Sequence, residues 1–176
     1  HIILIYNNIY YLNIIIIYII YMKTFVFDLD HTLLYKPYNT YDDIKQDLNL
    51  INLLSQINSP KYLFTNATYG HADISLKKLN IFHYIDLIFA RDTINLMKPD
   101  FNAYNFVHNR IRFNNVSLFS EYNNPDILFF DDLIDNLETA KKFNWTTIYI
   151  GNEESVPYYV DHKFKNIVQA INFFVN

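Results

Sequence analysis

The chain has 176 residues, about half of them apolar, a length that fits one domain with a sizeable core and excludes a second full one. Its formal net charge of −4 and pI near 5.8 argue against a protein that clamps a nucleic-acid backbone, because that binding works by neutralising phosphates with a basic face. There is no cysteine, which excludes a disulfide framework, a thiolate zinc site and a Cys nucleophile and leaves any metal to oxygen or imidazole ligands.

Residues 1–21 contain no Asp, Glu, Lys or Arg and would be ~30 Å long as a helix, so a membrane span has to be weighed. Asn7, Asn8 and Asn13 count against it, no basic stretch precedes the segment and no small-residue cleavage site follows it. Met22-Lys23 leading straight into an apolar strand looks like a natural start. The preferred reading makes 1–21 an apolar extension, translated upstream sequence or an artefact, ahead of a hydrolase domain at 22–176; a membrane anchor or an added edge strand or helix are the alternatives. A chain without cysteine is compatible with a reducing compartment, so the expected location is cytoplasmic, or N-terminally anchored if 1–21 is a genuine anchor.

Lys23 to Leu29 is a β-branched and aromatic run ending in acids, the pattern of a buried parallel strand with polar chemistry at its carboxyl end. Pro37 keeps Leu33 to Tyr41 irregular, and Asp42 or Asp43 is expected to cap a helix to about Ile57 with Ile44, Leu48, Ile51 and Leu54 on one face. A second strand follows at Lys61 to Thr65, a helix at Ala72 to Leu79, a third strand at Asp86 to Ala90 and, past Lys98-Pro99, a helix from about Phe101 to Ile111. Asp126 to Phe130 is the fourth strand, Leu133 to Phe143 an amphipathic helix, Thr146 to Ile150 the fifth strand, and Asn166 to Phe174 a weaker closing helix. Strands alternating with helices in this way predict an α/β fold, a Rossmann-like three-layer sandwich with a five-stranded, mainly parallel sheet.

Ligands of such sheets sit at the carboxyl ends of the strands, where the strand order reverses. The residues falling there are Asp28 and Asp30, Thr65 and Asn66, Lys98, and Asp131 and Asp132. So many carboxylates on neighbouring strand ends repel one another unless a cation sits among them, and hard oxygen ligands without cysteine select Mg²⁺. Magnesium in turn points to a phosphorylated partner, with a small metabolite, such as a nucleotide, the easier expectation for an acidic chain; oligomeric state is not legible.

Phe27-Asp28-Leu29-Asp30-His31-Thr32-Leu33 resembles the DxDxT signature of the haloacid dehalogenase superfamily. Thr65-Asn66 resembles its second motif, Lys98 in MKPD its third and Phe129-Phe130-Asp131-Asp132 its acidic fourth, in the same order along about Met22 to Gly151. A narrower resemblance, to the pyrimidine 5′-nucleotidase branch, lies in LFTNATYGHADISLKKLNI, KPDFNAY and FFDDLIDNLETAKKFNW. The resemblance implies that Asp28 is a nucleophile forming an aspartyl-phosphate and Asp30 the general acid and base. It implies that Thr65 and Lys98 hold phosphate oxygens, with Asn66 adding an amide donor, and that Mg²⁺ is bound by Asp28, the main-chain carbonyl of Asp30, and Asp131, supported by Asp132. It also implies that the Thr32 hydroxyl steadies the loop after the first strand.

Members of that branch usually carry a helical cap between the first motif and the helix before the second strand. Here the gap holds only Leu33 to about Tyr41, and no cap fits there or between the third strand and Lys98, so a capless, open site with a short flap at Leu34 to Tyr38 is expected. Readings kept beside the small-molecule phosphatase are a phosphatase of a phosphoprotein or nucleic-acid end, a catalytically idle binding module and, remotely, a dehalogenase. His31 and His71 read as passive, and Asp135 suits a helix N-terminus as well as an acidic loop.

Overall fold

A computed structural model describes residues 23–115 and 126–175. The segment 1–21, with its competing readings, lies outside them. Among the described residues no helix is long and apolar enough to cross a membrane.

The chain runs β1 (Lys23–Phe27), a 3-10 turn (Tyr41–Asp43), α1 (Leu48–Gln56), β2 (Lys61–Thr65), α2 (Tyr69–Lys78), a second 3-10 turn (Phe82–Tyr84), β3 (Leu87–Ala90) and α3 (Arg91–Ile94). It continues with α4 (Phe101–Asn115), β4 (Asp126–Asp131), α5 (Ile134–Lys141), β5 (Thr146–Ile150), β6 (His162–Phe164) and α6 (Ile167–Val175). All pairings are parallel, in the order β3-β2-β1-β4-β5-β6. The sheet thus has six strands where the sequence predicts five.

Successive strand residues point to opposite faces, and the side chains divide accordingly. Phe25, Phe27, Leu63, Leu128 and Phe130 pack with Leu50 and Leu54 of α1, Leu76 of α2 and Ile171 of α6. Val26, Phe64, Ile127 and Phe129 pack on the other side with Tyr104 and Val107 of α4, Leu137 of α5 and Trp145. Helices on both faces of one parallel sheet make the expected three-layer sandwich, and they explain why β2 and β4 are apolar runs rather than alternating ones: each is buried on both faces.

Two helix starts differ from expectation. Asp43 does not cap α1; its carboxylate accepts from the Thr40 amide at 2.8 Å and closes the 3-10 turn. The cap is Asp47, which accepts from the amides of Asn49 and Leu50, so Leu48 is an exposed first-turn residue and Ile44 reaches the core from a loop. Helix α2 begins at Tyr69, three residues before the expected Ala72, because the Thr68 hydroxyl accepts from the His71 amide and caps it there.

The chain proceeds from β1 outward to β3, then returns to place β4 on the other side of β1. The direction therefore reverses between β1 and β4, where Phe27 pairs with Phe130 and the Asp28 amide donates to the Phe130 carbonyl at 2.9 Å. This register sets Asp28 and Asp131 side by side at the crevice. Between β1 and α1 the only helical element is the 3-10 turn, and between β3 and Lys98 it is the four-residue α3.

Candidate active site

Lys98 is the centre of the crevice. Its Nζ donates to Asp28 Oδ1 at 2.7 Å and to Asp131 Oδ2 at 2.6 Å, and its side chain is 1 % exposed. The main chain of Lys98 is held by Asn66, which accepts from the Lys98 amide at 2.7 Å and donates to its carbonyl at 2.9 Å. The oxygen and one N–H of the Asn66 side chain thus tie the end of β2 to the Lys98 loop, and Asn66 also lines the cavity described below. Thr65 is buried, and its hydroxyl accepts from the Ala67 amide at 3.0 Å.

Asp131 is fully buried. Its Oδ1 accepts from the Leu133 amide at 2.8 Å, and Asn136 Nδ2 lies 3.0 Å from both of its oxygens. Asn136 escaped the sequence reading because an Asn in the first turns of a helix passes for a surface residue; its position five after Asp131, about one turn into α5, was the available signal. A cavity of about 270 Å³ is lined by Asp28, Asp30, His31, Thr65, Asn66, Lys98, Asp132 and Asn136, among others. Of the expected site residues Asp131 alone stands behind the wall, reached through Lys98.

Carboxylate oxygens of Asp28, Asp131 and Asp132 lie within 4.8 Å of one another. Three carboxylates against the single Lys98 ammonium leave a formal excess of two negative charges, on oxygen donors alone, which fits a hard divalent cation such as Mg²⁺. The side chain of Asp30 is outside this cluster: it accepts from Tyr38 and pairs with His71. Asp132 does not cap α5, whose N-cap is Leu133, and so stands with the cluster.

Burial pushes the Asp28 carboxyl from 3.8 up to about 7, against the pull of Lys98 and with the charge of Asp131 adding to the rise. Burial, and then Asp131, raise Asp132 to about 6. Burial disfavours the charged form of Lys98, but Asp131 and Asp28 together outweigh it and raise the ammonium above its ordinary value. Because the folded state holds its Asp28 proton up to about 7 whereas the unfolded chain releases it near 3.8, folding binds protons across that window. The stability that this group confers on the metal-free protein is therefore present at low pH and lost as pH rises from about 4 to 7, with Asp132 acting the same way up to about 6. Urea melts of metal-free protein at pH 5 and pH 7.5 are expected to give a lower midpoint at the higher pH, and Mg²⁺ to shrink the difference.

The loop after β1 is tied by its main chain, with the amides of Thr32 and Leu34 both donating to the Leu29 carbonyl. The Thr32 hydroxyl does not steady it: Oγ1 is buried without a hydrogen-bond partner. His31 has φ 62°, a left-handed conformation the turn requires and one that His tolerates better than most side chains, so backbone geometry explains this residue.

No protein-family model matches the chain, and no curated protein matches it significantly. Solved structures do. A dehalogenase superposes with a TM-score of 0.65 at 13 % identity, covering 88 % of this chain and 98 % of that one. A Bacillus subtilis protein assigned as a HAD-hydrolase, bound to magnesium, gives 0.65 at 11 % identity over 87 % and 98 %. A Thermotoga maritima protein assigned as a β-phosphoglucomutase gives 0.61 at 15 % identity over 87 % and 98 %. The chain has the haloacid dehalogenase-type fold. The reversal point between β1 and β4 coincides with the Asp28, Lys98 and Asp131 cluster, and in open parallel α/β sheets ligands bind at such a point.

Proposed function

We propose that the protein is a Mg²⁺-dependent phosphomonoester hydrolase acting through an aspartyl-phosphate on Asp28, with nucleoside 5′-monophosphates as the candidate substrates. The observation that carries the reading is the convergence of the Asp28, Asp131 and Asp132 carboxylates, the first two paired with the buried Lys98, beside a cavity that Asp28, Asp30, Lys98 and Asp132 line.

Asp28, Asp131 and Asp132 would hold Mg²⁺, which when bound neutralises charge on the phosphoryl oxygens and orients them. Asp28 attacks phosphorus with its carboxylate oxygen, while Lys98 offsets the repulsion between that carboxylate and the dianionic substrate. Asp30, 41 % exposed at the rim, gives its proton to the departing alkoxide oxygen and then takes one from the water that hydrolyses the acyl-phosphate. Thr65 keeps its hydroxyl proton for a phosphate oxygen, since within the protein that oxygen acts as acceptor. Asn66 acts indirectly, by fixing the Lys98 main chain.

Dehalogenases share the fold. The presence of Asp30 favours phosphate ester hydrolysis, because a departing halide needs no proton. A panel of nucleoside 5′-monophosphates, sugar phosphates, phosphopeptides and end-phosphorylated oligonucleotides, run with Mg²⁺ and with EDTA, tests the reading. Release of phosphate from a small monoester, abolished by EDTA, is the expected result; turnover indifferent to EDTA, or halide release from 2-haloacids in its place, overturns it.

A further inference from the structure

His71, which reads in the sequence as a passive helix-start residue, is joined to the site. Its Nε2 lies 2.9 Å from Asp30 Oδ1, and its Nδ1 lies 2.8 Å from the Tyr41 hydroxyl. A neutral imidazole has one N–H and one acceptor nitrogen, and a carboxylate can only accept. The proton therefore sits on Nε2, donated to Asp30, and Nδ1 accepts from Tyr41. Tyr38 donates to the same Asp30 oxygen at 3.4 Å.

We propose that His71, held in this tautomer by Tyr41, is a positioning residue for Asp30. The inference rests on the reading of Asp30 as the general acid. Three segments far apart in sequence supply the chain of contacts: Asp30 from the loop after β1, Tyr41 from the 3-10 turn, and His71 from the first turn of the Thr68-capped helix α2. Asp30 sits on the rim with its side chain 41 % exposed, where a carboxyl without fixed partners samples several rotamers. Both donors land on Oδ1, so Oδ2 becomes the oxygen that carries the transferable proton, set in direction by the imidazole.

A general acid matters in proportion to the basicity of the leaving group, and this separates positioning from mere structure. kcat/KM, which reports the steps up to formation of the aspartyl-phosphate, is measured for uridine 5′-monophosphate and glycerol 2-phosphate, which expel alkoxides, and for p-nitrophenyl phosphate, whose phenolate departs unaided. His71→Ala is expected to lower kcat/KM for the alkyl esters about 10–100-fold and for the aryl ester less than about threefold. His71→Gln, which returns an amide donor, is expected to restore most of the loss, and Tyr41→Phe to give a smaller loss with the same selectivity.

Asp30→Asn is the control. If it discriminates between the esters while His71→Ala lowers all of them equally, or none, the positioning role is overturned and the acid assignment stands. If Asp30→Asn itself fails to discriminate, the acid assignment falls and the inference with it. Tyr41→Phe removes one hydroxyl from an exposed residue and keeps the test open should His71→Ala fold poorly.

Discussion

Asp28→Asn is expected to lower Mg²⁺-dependent phosphate release by about four orders of magnitude or more, because it turns the nucleophilic carboxylate of the proposed covalent mechanism into a weakly nucleophilic amide. Asn has the size of Asp, and its amide oxygen can accept the Lys98 hydrogen bond that Oδ1 takes at 2.7 Å, so the crevice keeps its shape. The variant also subtracts one carboxylate from a buried cluster in which burial already forces Asp28 to hold its proton up to about 7. Metal-free Asp28→Asn should therefore melt at or above the wild-type temperature at pH 7.5, and its stability should fall less between pH 5 and pH 7.5. Lost turnover with retained or raised Tm is the outcome the covalent mechanism requires, and it shows that the loss is not one of folding, whereas unchanged turnover in a protein purified in parallel with wild type sinks that mechanism.

The sequence makes the sheet legible from the β3 edge through β5, but not the opposite edge, β6. β1, β2, β4 and β5 are apolar runs that end in Asp, Thr or a turn, and burial on two faces leaves a strand little other composition. β6 escapes because it has three residues, none of them fully buried, and the exposed Lys163 at its middle gives a pattern that a loop shares. The sequence reading places the start of α1 at Asp42 or Asp43 and passes over Asp47, which can cap equally well; what selects Asp47 is that its Oδ1 meets the amides of Asn49 and Leu50 while Asp43 is taken by Thr40.

The same division holds at the site. Asp28, Lys98 and Asp131 stand at strand ends or beside a Pro and are found by position alone. The bond from His71 to Asp30 spans 41 positions and depends on how α2 leans over the loop after β1, so no local pattern reveals it. Asn66 is found, but its tie to the Lys98 main chain, 32 positions away, through its oxygen and one N–H, is not.

Lys98→Met is expected to separate the stability of this crevice from its chemistry. The Lys98 ammonium is the sole cation in contact with Asp28 and Asp131 among the described residues, and it lies 5.4 Å from the ring centroids of both Phe64 and Phe129. Methionine fills most of the volume of the lysine stem, so packing changes little. Two carboxylates are then left buried without their counter-ion, which costs about 3–5 kcal/mol when one partner of a buried pair is removed. For a domain of this size the metal-free protein should lose about 6–20 °C in Tm at pH 7.5. Two treatments should return part of that loss. Lowering the pH to 5 protonates Asp28, whose folded-state affinity for protons the substitution raises further, and millimolar Mg²⁺ supplies the missing positive charge, so the metal-induced rise in Tm should be larger in the variant than in wild type. Activity should not return with stability. Saturating Mg²⁺ leaves the phosphoryl oxygens without the ammonium, and a loss of about 10²–10³-fold in kcat is expected to persist. A variant that melts like wild type without metal would mean that the three carboxylates do not depend on Lys98 for their balance of charge, and the cation site inferred from their excess would lose its physical basis.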